Sequence, residues 1–170
     1  MTEPVVPRVR LRFYIGDRKD EPWEEEAASW FAAHPAEKPE LYDLQGSIFV
    51  TGNGQEAQVA DQLLSSIPAL CFDAVSAVLD KGVAEFDLYT AATGVRLTAQ
   101  GEELEIVSNV FAPVRFAKWP VLEGLVACGE RFVRLADQVW AGDPYHDVLA
   151  QIAEAGAGAR AKLNAARKPG

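Results

Sequence analysis

The stretch VAEFDLYTAATGVRLTAQGEELEIV, residues 83–107, decides the fold class. Ala84, Phe86 and Leu88 alternate with Glu85, Asp87 and Tyr89; Val95 and Leu97 alternate with Arg96 and Thr98; Leu104 and Ile106 alternate with Glu103 and Glu105. A period of two places apolar side chains on one face of a pleated strand and polar ones on the other. Thr93-Gly94 and Gln100-Gly101-Glu102 break the alternation with residues suited to tight turns. The segment predicts an antiparallel meander with one buried face.

Toward the N-terminus, Val9, Leu11, Phe13 and Ile15 alternate with Arg8, Arg10, Arg12 and Tyr14, a half-buried strand that Gly16-Asp17 ends. Asp20-Glu21-Pro22 predicts a helix start, because proline fits the first turn and carboxylates favour its positive end; this short helix runs to about His34. Residues 44–51 form a second strand centred on Ile48, Phe49 and Val50, and Gly52-Asn53-Gly54 closes it. From Glu56 to Ile67 the apolar residues Val59, Ala60, Leu63, Leu64 and Ile67 stand three and four apart, which predicts a helix. Pro68 should end or kink it, and a second helical piece runs from Ala69 to Asp80, stopped by Gly82.

Toward the C-terminus, Pro120 to Trp140 reads as a central helix, apolar around much of its circumference, with Glu123, Glu130, Arg134 and Asp137 as its polar stripe. Asp143-Pro144 caps a last helix carrying Val148, Leu149 and Ile152, and the Ala/Gly-rich stretch 155–170 is expected to fray. The expected architecture is one α+β domain over 1–170: a mostly antiparallel sheet with helices packed mainly on one face.

At 170 residues, with 49% hydrophobic and 24% charged side chains, the chain has the composition of an ordinary globular domain. Its net charge of −9 argues against non-specific nucleic-acid binding, which needs cations to neutralise phosphates, and favours a basic partner. Cys71 and Cys128 lie in apolar helical stretches and are expected to be free thiols. The N-terminus has no apolar signal core, and no run approaches the roughly 18 apolar residues of a membrane span, so a cytoplasmic location is expected.

No catalytic, metal or cofactor site is legible in the sequence. His34 and His146 are the two histidines, and neither has the neighbours that a metal needs. Gly52-Asn53-Gly54 lacks the further glycine and the Gly-Lys-Ser/Thr ending of a phosphate-binding loop and reads as a plain turn. Two charged clusters are candidates for partner binding. One is Trp23 amid Glu24, Glu25 and Glu26, an aromatic anchor among carboxylates that helix capping would equally explain. The other is Glu85, Asp87, Glu103 and Glu105 on the outward sheet face, expected near Arg8, Arg10 and Arg12 across strands.

The opening Arg8-Val9-Arg10-Leu11-Arg12-Phe13 strand, the following Glu21-Pro22-Trp23, the acidic balance and the Leu-rich helices beside a meander resemble the small acidic immunity proteins of bacterial polymorphic and contact-dependent toxin systems. The resemblance covers the general architecture and carries over no site residues. It implies a cytoplasmic, non-catalytic protein that binds a basic toxin domain. Two other readings stand beside it: a small-ligand binder or enzyme with a pocket between sheet and helices, using Tyr89, Tyr145 or His146, and a chaperone or adaptor of a secreted effector. Homo-oligomerisation is left open by all three.

Overall fold

The computed structural model describes residues 9–16, 22–89 and 93–167. Arg8, Asp20 and Glu21 lie outside the described residues; the short helix expected to follow Pro22 begins only at Ala27, because Trp23 bridges back to Tyr14. The fold is α+β, with two antiparallel sheets and a layer of helices. The first sheet has the order β1 (Arg10–Ile15), β2 (Gln45–Gly52), β3 (Gln55–Gln62); the second is the meander β4 (Val83–Asp87), β5 (Gly94–Gln100), β6 (Glu103–Ser108), β7 (Phe111–Ala117). The helices are α1 (Ala27–Ala33), α2 (Leu63–Lys81), α3 (Lys118–Val139) and α4 (Val148–Arg167).

The expected helix from Glu56 to Ile67 is corrected: its first half is strand β3, hairpinned to β2. Asn53 and Gly54 both have positive φ, 54° and 73°, as the type I′ turn between twisted strands requires. Gly52 pairs with Gln55 across that two-residue loop, and Ala57, Val59 and Asp61 then face the core side. The helical spacing of Val59, Ala60 and Leu63 arises because a strand leads directly into α2.

Pro68 does not end α2. Residues Ile67–Asp73 form a π-helical segment in which the Ala74 N–H reaches back to the Ala69 carbonyl. The wider turn lets the helix continue past a residue that has no N–H to donate. α2 is long and apolar enough to cross a membrane by length and composition, contrary to the sequence expectation. Its Ile67, Leu70, Cys71, Phe72, Val75 and Val78 are packed in the core.

α3 is the central helix expected for 120–140, and it serves both sheets, packing on β1 and on β6 and β7. Phe132 meets Phe13 edge-to-face at 5.6 Å. Gly129 of α3 and Gly156 of α4 both lie against the Phe72 ring, so small residues let three helices close around one aromatic side chain. β7, Phe111–Ala117, went unread in the sequence, because Pro113 and the small residues around it obscure its alternation.

The expected frayed tail is also corrected: α4 continues to Arg167, with Gly156, Ala159 and Leu163 buried. Arg160 holds it to α3 through Glu123 at 2.7 Å and Glu130 at 2.6 Å, and Lys162 pairs with Asp80 at 2.5 Å. The alanines and glycines of this stretch are the contact face of a closely packed helix.

Candidate docking surface

The residues read from the sequence as partner-binding separate into three kinds. Glu24 is structural: its side chain is 10% exposed, accepts the Phe13 N–H at 2.9 Å and pairs with Arg131 at 2.5 Å. Arg131 in turn donates to the Leu11 carbonyl. Trp23 and Glu25 are half committed. The Trp23 ring lies between Tyr14 and Phe49, with the Arg12 guanidinium 4.1 Å from its centre. Glu25 grips Arg12 with both oxygens, at 3.0 and 2.8 Å, and that guanidinium holds its carboxyl below the usual carboxylate range. Glu26 is exposed and makes no capping hydrogen bond to α1.

The acids on the meander do not meet the arginines of β1, which belong to the other sheet. Glu85 pairs instead with Arg96 at 3.4 Å, and Glu105 with Arg115 at 3.1 Å, each across adjacent strands. Exposed pairs of this kind contribute between about 0 and 1 kcal/mol. Asp87 and Glu103 are exposed. The eight candidates therefore do not form one surface.

The fold assembles a different cluster from residues far apart in sequence. Tyr42 stacks on Tyr145 with ring centres 5.0 Å apart, and its hydroxyl is 3.3 Å from that of Tyr89. The three are 42%, 43% and 64% exposed, which makes them three of the four exposed large apolar side chains among the described residues. Their backbones are held from beneath. Tyr89 donates its N–H to Asp61 at 2.7 Å, and Gln62 donates to the Tyr42 carbonyl. Asp143 accepts the N–H groups of Leu41 at 3.0 Å and Tyr145 at 2.8 Å, so one carboxylate ties two of the three segments together.

In sequence, Glu40 and Asp43 flank Tyr42, and Asp143 and Asp147 flank Tyr145; Asp43 lies near enough to act on the Tyr42 phenol. The hydrogen bond to Tyr89, with Tyr145 and Asp43 nearby, raises the Tyr42 phenol above its ordinary value. It therefore stays protonated at neutral pH and presents a ring with a hydroxyl donor, the amphipathic contact favoured at protein interfaces. The sequence shows each tyrosine singly and nothing of their convergence.

Of the polar groups expected for a pocket between sheet and helices, Tyr89 and Tyr145 both lie against Tyr42 in this cluster, and His146 bonds Asp137 at 2.7 Å. A cleft of about 440 Å3 lies between the two sheets, lined by Gln58 and Ala60 of β3 and by Leu88, Val95 and Phe111. Among the described residues no group of three or more His, Cys, Asp or Glu is placed to hold a metal. Cys71 and Cys128 are buried free thiols; burial, with a hydrogen bond to Cys128, pushes the Cys71 thiol well above its ordinary value, away from nucleophilic use.

Compared with known proteins, the chain matches no protein-family model, no curated protein and no solved structure.

Proposed function

We propose that this chain is a non-catalytic protein-binding domain: a cytoplasmic immunity protein that neutralises a basic toxin domain by covering it. The observation that carries the docking part is the convergence of Tyr42, Tyr89 and Tyr145 on one exposed, acid-flanked surface. Tyrosine offers large contact area with few rotatable bonds, and rings rimmed by carboxylates suit arginine and lysine side chains. The net charge of −9 would speed encounter with a cationic partner. The toxin assignment rests on the resemblance in strand–helix layout and acidic balance, and the buried reduced thiols are compatible with a cytoplasmic site.

The test is co-expression with the toxin domain encoded by a neighbouring reading frame, scored by growth, followed by calorimetric titration of the purified pair. Tyr42→Ala with Tyr89→Ala should weaken binding by about 30-fold or more, the effect of losing roughly 2 kcal/mol at a hot spot. Unchanged affinity in that double variant would remove the tyrosines from the interface. Binding of the partner only in its unfolded form would transfer the reading to a chaperone, and saturable stabilisation by a small molecule would transfer it to the cleft between the sheets.

A further inference from the structure

β3 is tied to the meander at two points. The Arg115 N–H donates to the Gln55 side chain at 2.8 Å, and the Tyr89 N–H, just past β4, donates to Asp61 at 2.7 Å. The β3 residues between those ties are the ones that line the cleft of about 440 Å3. The fold therefore fixes its opening, and its volume falls within the roughly 300–1,000 Å3 of preformed small-molecule sites.

Three polar side chains in the lining have hydrogen-bonding capacity that the fold does not use. Thr93 is 7% exposed, and among the described residues its hydroxyl makes no hydrogen bond, although its carbonyl accepts the Leu88 N–H at 2.8 Å. Ser108 is 9% exposed; its hydroxyl oxygen accepts the Val110 N–H at 3.3 Å, which leaves its own proton to donate. Gln58 donates to the Ser47 hydroxyl at 3.1 Å, which leaves its side-chain carbonyl to accept. A hydroxyl in a buried residue without a partner is costly and rare in a folded protein, so Thr93 calls for an explanation. Leu88, Val95 and Phe111 supply the apolar part of the lining.

We infer that the cleft binds a small neutral carboxamide with an apolar body. The hydroxyls of Thr93 and Ser108, on the meander side, donate to its carbonyl, and the Gln58 carbonyl, on the β3 side, accepts its N–H. A planar amide carries its acceptor and its donor on separate atoms and so serves both sides at once. An ammonium has no lone pair to take the hydroxyl protons. A carboxylate has no proton for Gln58 and meets Glu56 in a chain of net charge −9. The site is separate from the tyrosine surface: ligand binding beside partner binding leaves both in place, and ligand binding with no protein partner is the outcome that moves the function to the cleft.

The experiment titrates 15N-labelled protein with four probes of similar shape: phenylacetamide, phenylacetate, phenethylamine and ethylbenzene. Phenylacetamide should give saturable amide shifts at Leu88, Thr93, Val95 and Ser108 and bind at least about tenfold more tightly than each of the others. Thr93→Val, which exchanges the hydroxyl for a methyl, should remove that preference and leave the ethylbenzene affinity unchanged; Ser108→Ala makes the same comparison if the first variant does not fold. Equal binding of all four probes, shifts confined to residues outside the cleft, no saturable shift, or an amide preference that survives these variants would overturn the site.

Discussion

Replacing Glu24 by alanine should destabilise the protein by about 3 kcal/mol. The carboxylate is largely withdrawn from water and accepts two hydrogen bonds, one from the Phe13 N–H and one from Arg131. Losing a charge-assisted bond to a backbone N–H on a buried strand costs on the order of 1.5–3 kcal/mol, because the donor keeps its desolvation penalty. Arg131 is 35% exposed, so solvent screens much of its loss, and about 1 kcal/mol is a fair share for that pair. For a chain of this length the total corresponds to a drop in Tm of roughly 6–12 °C. Urea unfolding measures the change directly, and Glu24→Gln, which keeps an acceptor, should lose about half as much. Coupling with Arg131→Ala in a double-mutant cycle should be about 1 kcal/mol, and the exposed Glu26→Ala should stay within about 0.5 kcal/mol of the parent. If Glu24→Ala also stays within that margin, the carboxylate is a surface group and its structural assignment is wrong.

Glycine variants should divide by the space around them. A Cβ at Gly129 would stand 2.6 Å from Phe72 Cε1, and one at Gly156 2.8 Å from Phe72 Cζ, so Gly129→Ala and Gly156→Ala should each lose about 1–3 kcal/mol in urea unfolding. Gly158→Ala meets nothing within 4 Å and should gain up to about 1 kcal/mol of helix propensity; a gain at all three positions would contradict the packing around Phe72. In an ultraviolet pH titration, Tyr42 should ionise later than an ordinary tyrosine, and Tyr89→Phe should bring it down by removing the hydroxyl bond. An unchanged titration curve in that variant would dissolve the cluster.

What the sequence by itself determined was local. The meander over 83–107, the central helix near 120–140 and the half-buried first strand all follow from a period of two or 3.6 maintained between turn residues, a property that neighbours along the chain can express. At 55–62 two periods overlapped. Val59, Ala60, Leu63 and Leu64 satisfy helical spacing while Ala57, Val59 and Asp61 alternate, and the Asn53-Gly54 turn was the signal that favoured the hairpin. Small residues at 155–163 read as a loose tail, because composition does not reveal that Phe72 and Arg160 would hold them to two other helices. Tertiary structure alone decided which charges and aromatic rings are committed and which are exposed. Glu24 is turned inward by Arg131, 107 residues away in sequence, and Tyr42, Tyr89 and Tyr145 meet only when both sheets share one helical layer. An acidic or aromatic side chain reads alike in sequence whether it is bonded, stacked or open, because its partners are chosen by long-range packing.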